Sequence, residues 1–257
     1  MKTAPRAAIL DRIRAALAPG ERGAVAVDGD GTLRSGDVGE DFFHATIRRC
    51  DYRDEASEAL ARVADEHGLP SEGPGVVVAG VIYDAYLAGR FPEERVCEMM
   101  AWGVAGWTVG EARAFAESIL DRTKLESRFH AEAVAALRWA RDAGLEVYLV
   151  SASPRAIVEA AAARLDIGAD HVLAATPDVE GEVVKARPVR PIPYGPGKVH
   201  ALQAKLGGRV LAAAFGDNAF DVPMLAASRV PVAVRPKQRL LDRAAEVPGL
   251  VALEPEG

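Results

Sequence analysis

Apolar positions along this chain follow two rhythms. In the second half, solid apolar runs at 145–150, 171–175, 209–215, 230–234 and 250–252 read as strands. The stretches between them, 130–142, 154–165, 197–206, 220–227 and 237–245, read as helices. A polar segment, Val179-Glu180-Gly181-Glu182-Val183, interrupts the series as a hairpin. One further run, 24–28, stands near the start of the chain. It follows a helix over 5–18, in which Ile9, Ile13 and Leu17 recur at four-residue steps until Pro19-Gly20 stops it. Strands that are apolar on both faces and separated by helices predict a parallel sheet covered on both sides, an α/β fold.

The second rhythm occupies residues 38–124, where helical spacing dominates. It predicts helices over Asp41–His67, Gly80–Ala88, Pro92–Trp102 and Val109–Leu120, punctuated by Gly68-Leu69-Pro70 and Gly73-Pro74-Gly75. Val76-Val77-Val78 fits either a strand or a helix. The expected organisation is an N-terminal helix in 1–20, a sheet core made of 21–37 and 125–257, and a helical insertion, 38–124. Ser35-Gly36 and Arg122-Thr123 are its candidate hinges.

The polar residues that matter lie where the apolar runs end. Gly23-Ala24-Val25-Ala26-Val27 leads straight into Asp28-Gly29-Asp30-Gly31-Thr32. A strand fixes where such carboxylates point, and the glycines let backbone approach a ligand closely. A calcium loop starting at Asp28 would need Asp or Asn, Gly and Glu where the chain has Thr32, Leu33 and Gly39. A dinucleotide fingerprint would need glycine at Arg34, and Asp30 would repel a pyrophosphate. Ser151 follows the run ending at Val150, Asp217 follows the run ending at Phe215, and Lys198 starts a predicted helix. Taken singly, each has an ordinary explanation: a helix cap for Ser151, a surface lysine for Lys198, and helix-capping acids for Asp217 and Asp221. Ligands bind beyond the carboxyl ends of strands in open α/β sheets, so the group converges on one edge.

Composition narrows the field. Hydrophobic residues make up 49% of the 257 and charged residues 26%, as in an ordinary globular chain. A net charge of −6 without a Lys/Arg stripe excludes nucleic acid as a main partner. Cys50 and Cys97 form no metal-ligand spacing and read as free thiols in a reducing compartment. The charges at Arg6, Asp11, Arg12 and Arg14 interrupt any signal-peptide core, no stretch approaches a membrane span, and a cytoplasmic location is expected.

Four segments together resemble the haloacid dehalogenase superfamily. They are Asp28-x-Asp30-x-Thr32, Leu149-Val150-Ser151-Ala152-Ser153, Lys198, and Gly216-Asp217-x-x-x-Asp221. The resemblance spans nearly everything after residue 23 and is nearest to the phosphoserine-phosphatase-like group. It implies a Rossmann-like parallel sheet carrying a small helical cap, and an Mg²⁺-dependent phosphatase acting on a small phosphorylated metabolite. Asp28 is then the nucleophile and Asp30 the general acid and base. Ser151, Ala152 and Lys198 bind phosphate. Asp28, Asp30 and Asp217 hold the metal, with Asp221 behind them. Departures at Asp37 and Phe220 from the phosphoserine-phosphatase pattern separate the reaction from that substrate. Asp37, Phe42 and Trp102 are the candidates for substrate specificity, because carboxylates and aromatic rings together bind organic cations. Packing as the insertion's own core is the competing reading for the aromatic residues. A phosphotransferase or mutase, and a non-catalytic phosphate-binding protein, remain the alternatives.

Overall fold

The computed structural model describes residues 1–256. Seven strands form one sheet: β1 (Lys2–Ala4), β2 (Gly23–Asp28), β3 (Glu146–Pro154), β4 (Val172–Ala175), β7 (Val210–Gly216), β8 (Val230–Val234) and β9 (Val251–Leu253). Their spatial order is β1-β9-β8-β7-β2-β3-β4, and every neighbouring pair is parallel. β5 (Pro177–Glu180) and β6 (Val183–Pro188) form a separate antiparallel hairpin.

The solid apolar runs are explained by two cores, one on each face. Val25 and Val27 of β2 face a cluster with Leu149, Phe215 and Val232, joined by Ile9 and Ile13 of α1 (Arg6–Ala15) and Leu137 of α7 (Ala131–Asp142). The alternate residues Ala24 and Ala26 face the other cluster with Val150, Ala214 and Ala233. There the cover is Leu202 of α9 (Pro196–Leu206), Met224 and Leu225 of α10 (Val222–Ala226), and Leu240 of α11 (Gln238–Leu241). Successive strand residues point to opposite faces, so a strand buried on both must be apolar throughout.

Between β2 and α7 the chain forms five α-helices: α2 (Val38–Arg49), α3 (Asp54–Glu66), α4 (Gly75–Leu87), α5 (Glu93–Trp102) and α6 (Val109–Arg122). The single helical pattern expected over Asp41–His67 is two helices. α2 ends where Cys50 turns left-handed at φ 55°, its N–H returning to Thr46 and Ile47 carbonyls. The next turn is fixed from a distance by Arg53, which binds the Gly106 carbonyl and the Glu111 carboxylate. Val76–Val78 is helical, because α4 starts directly behind Pro74. The three-residue strand β1 had no periodicity of its own to reveal it; pairing with β9 creates it.

The insertion has two apolar clusters. Val38 and Phe42 of α2, Trp107, and Ala116, Ile119 and Leu120 of α6 pack against Ile157, Ala160 and Ala161 of α8 (Arg155–Ala163), which belongs to the sheet core. Phe43, with Leu60, Ile82, Met99 and Trp102 from α3, α4 and α5, forms the outer cluster. The β5–β6 hairpin straps this region: Val184 N–H binds the Trp107 carbonyl, and Gly106 N–H binds that of Val184. No helix among the described residues is long and apolar enough to cross a membrane.

Candidate active site

The sheet register builds the site. Asp28 is level with Val150 on β3, and Val27 is level with Phe215 on β7. The residue after each neighbour, Ser151 on one side, and Asp217 just beyond Gly216 on the other, therefore stands at the same edge as Asp28. α9 brings Lys198 to them across the strand ends. Its start is set by Gly195 and Pro196, and Gly197 is required there because a Cβ would stand 1.9 Å from the Ile192 carbonyl oxygen.

Asp28, Ser151, Lys198, Asp217 and Asp221 are each at most 3% exposed. The Lys198 ammonium donates to Asp28 Oδ1 at 2.6 Å and to Asp221 Oδ1 at 2.5 Å. The ring of Phe220 lies 5.1 Å from the same ammonium. Asp221 Oδ2 accepts the backbone N–H groups of Asp217 and Asn218, at 3.0 and 2.9 Å, which locks the loop after β7. Thr32 Oγ1 donates to Asp217 Oδ1 at 3.1 Å. Ser151 Oγ accepts from Ser153 N–H at 3.1 Å rather than capping α8, whose N-cap residue is Pro154.

The electrostatics follow from burial. Desolvation pushes the Asp28 carboxyl well above the usual carboxylate range; Lys198 opposes this, while Asp221 and Asp217 reinforce it. Asp217 is raised by burial and by Asp221. Burial alone would lower the Lys198 ammonium, but the attraction of Asp221 and Asp28 outweighs it and holds the group charged.

Carboxylate oxygens of Asp28, Asp217 and Asp221 come within 4.8 Å of one another. Asp28 Oδ2 is buried without a hydrogen-bond partner among the described residues, and Asp217 Oδ2 meets only the Lys237 ammonium, at 2.8 Å as an ion pair. A Cβ at Gly31, whose φ is +90°, would stand 2.2 Å from that Asp217 oxygen. An unpartnered oxygen of Asp28 and an oxygen of Asp217 paired only with Lys237, beside a glycine cradle, are hard donors that fit a small divalent cation. Asp221 is committed to Lys198 and two backbone N–H groups, so it supports the cluster from behind.

The site opens into a cavity of about 400 Å³. Asp28, Asp30, Ser151, Ala152 and Asn218 line its floor, and Glu40, Tyr86, Cys97 and Met100 of the insertion, with Asp37 just before it, line the opposite wall. Asp37 also caps α2, accepting Glu40 N–H at 2.9 Å. Burial, then the charge of Asp30, raises its carboxyl to about 7. Phe42 and Trp102 are not brought to the cavity. Phe42 is 1% exposed in the cluster shared with α8, and Trp102 is 4% exposed in the outer cluster, so both serve packing.

Three contributors were not anticipated. Lys237 follows β8 and wraps Asp217, its N–H binding the Asp217 carbonyl at 2.8 Å. Ser153 donates to Asp30 Oδ2 at 2.8 Å. Arg34, fully buried, donates from Nε to Asp30 Oδ1 at 3.0 Å. The strand-end rule that located Asp217 also covers Lys237, since β8 adjoins β7.

Comparison with known proteins agrees with this architecture. A protein of unknown function from Bordetella pertussis Tohama I superposes with a TM-score of 0.69 at 22% identity, over 91% of this chain and 99% of that one. A conserved, functionally unknown protein from Anaerococcus prevotii DSM 20548 gives 0.66 at 15% identity, over 93% and 88%. A substrate-bound phosphoserine phosphatase gives 0.55 at 16% identity, over 91% and 93%. These likenesses establish the fold. No curated protein matches the chain. The sequence model of the haloacid dehalogenase-like hydrolases matches residues 25–226, which takes in Asp28, Ser151, Lys198, Asp217 and Asp221, and the chain belongs to that family.

Proposed function

We propose that the protein is an Mg²⁺-dependent phosphatase that hydrolyses a small phosphomonoester through an aspartyl-phosphate on Asp28. The observation that carries this reading is the asymmetry of Asp28: one carboxylate oxygen is fixed by Lys198 and the other is buried and unpartnered among the described residues. A buried acid with a free oxygen aimed into a cavity is costly to maintain for stability alone.

One oxygen of the Asp28 carboxylate attacks phosphorus, and the bond from phosphorus to the ester oxygen breaks. Asp30, entering as the acid, delivers its proton to the departing alkoxide. Water then attacks phosphorus while Asp30 takes one of its protons. The phosphorus–Asp28 bond breaks, releasing phosphate and restoring the carboxylate. Lys198 and the Ser151–Ala152 backbone hold phosphoryl oxygens in line. Asp28, the Asp30 carbonyl and Asp217 would hold Mg²⁺, which when bound neutralises charge on the phosphoryl group and relieves repulsion among the acids. Asp221 orients Lys198 from behind.

Residues 38–124 act as the cap over a core of 21–37 and 125–257, with the helix in 1–20 packed on that core. A cavity of about 400 Å³ suits a small phosphorylated metabolite, and the wall carrying Asp37 selects it. The unpaired Cys50 and Cys97 suit a reducing, cytoplasmic setting.

The test is phosphate release from a panel of small phosphomonoesters. We expect release with Mg²⁺, loss with chelator, and a fall of at least about 10³-fold in Asp28→Asn. Release that survives both the chelator and the substitution would sink the proposal.

A further inference from the structure

Asp30 is held far more tightly than the cavity requires. Its Oδ1 accepts two N–H groups, from Arg34 Nε at 3.0 Å and from the Val38 backbone at 2.9 Å. Its Oδ2 meets the Ser153 hydroxyl at 2.8 Å. Arg34 makes this contact at a cost. It is 0% exposed, and Nη1 and Nη2 have no hydrogen-bond partner among the described residues. The loop is shaped around it: Gly31 N–H binds the Arg34 carbonyl at 2.7 Å, and a Cβ at Gly29 would stand 2.7 Å from Nη2. An apolar side chain would fill this space without burying a charge, so packing does not account for an arginine here.

We infer that Arg34 and Ser153 are positioning residues that make Oδ2 of Asp30 the oxygen that carries the catalytic proton. This rests on the acid–base role proposed above for Asp30. Two N–H donors occupy Oδ1 and cannot accept, so a proton on Oδ1 would face two donors. A hydroxyl can both donate and accept. Ser153 donates to Oδ2 when Asp30 is ionised and rotates to leave it free when the acid is protonated. The proton leaves from Oδ2 to the ester oxygen as that bond breaks, and water returns a proton to the same atom in the second half of the cycle. Arg34 acts only through its contact with Asp30.

A role in shape alone and a role in proton delivery separate on leaving-group dependence. The measurement is kcat/KM of the full chain with saturating Mg²⁺ over phosphomonoesters ranging from dinitrophenyl to simple alkyl. A dinitrophenolate departs without a proton, and an alkoxide does not. Asp30→Asn sets the reference, with a loss concentrated on the alkyl esters. We expect Arg34→Met to lose about 10–100-fold on alkyl esters and less than about threefold on the dinitrophenyl ester. Arg34→Lys should recover part of the alkyl loss, and Ser153→Ala should show the same selectivity at about 3–10-fold. If Arg34→Met does not fold, Arg34→Lys and Ser153→Ala decide by the same criterion. A selective loss in Asp30→Asn, with uniform or absent losses in the folded Arg34 and Ser153 variants, overturns this inference alone. A uniform loss in Asp30→Asn overturns the acid–base reading and this inference with it.

Discussion

The two walls of the cavity are built on opposite principles. The floor, at the strand ends, is a set of charged groups held at fixed distances: Lys198 between Asp28 and Asp221, and Lys237 on Asp217. The facing wall comes from α2, α4 and α5, which pack on one another through the apolar side chains of the outer cluster. The floor cannot lose one charge without stranding another, because desolvation makes an unpaired buried ion expensive. The facing wall can lose one apolar side chain and keep its chemistry. The proposed reaction is thereby assigned to the charged groups of the floor, and the proposed specificity to the wall that faces them.

The sharpest way to break that comparison is to injure each region once. Lys198→Met strands Asp28 and Asp221, so it should lower kcat by about 10²–10³-fold or more and destabilise the fold by about 3–5 kcal/mol. Trp102→Ala, in the outer cluster, should cost a similar ~3–5 kcal/mol in denaturant unfolding yet change kcat on a small aryl phosphate by less than about threefold. Equal damage to kcat from both substitutions would show that the walls are not separable.

A gentler contrast comes from Asp37, one of the charged residues that line the cavity opposite the floor. Its carboxyl is raised to about 7, by burial first and by Asp30 second. The folded protein therefore keeps a proton that the unfolded chain gives up between about pH 4 and pH 7, and stability falls as pH rises through that window. Asn caps a helix as well as Asp does. Asp37→Asn should thus raise Tm by roughly 2–5 °C at pH 8, with the gain vanishing by about pH 4. A gain that is equal at both pH values would assign the effect to something other than this charge.

What was legible in the sequence follows the same division. Asp28, Ser151 and Asp217 stand at the ends of solid apolar runs, and parallel pairing leaves little freedom in where such residues go. Lys198 and Asp221 were legible from the family resemblance, and the ion pairs give them a physical reason. Arg34 was not legible, because an arginine beside Ser35-Gly36 reads as solvated; only the folded loop buries it. Phe42 and Trp102 show the limit of composition. Aromatic residues near acids suggest a ligand wall, but side-chain direction on α2 and α5 sends both into packing, and α4 brings Tyr86 to the cavity instead. The split of the first helical pattern depended on the left-handed Cys50 and the distant anchor of Arg53, neither of which has a periodicity.

In the proposed reaction phosphorus passes through the Asp28 carboxylate. The most direct measurement is to quench the enzyme during turnover with borohydride, which reduces an acyl phosphate to an alcohol, and to sequence the peptide containing residue 28 by mass spectrometry. The account predicts homoserine at position 28, dependent on both substrate and Mg²⁺, and intact aspartate at positions 30 and 217. An unmodified Asp28 in enzyme that is releasing phosphate would contradict it and place the attack with water.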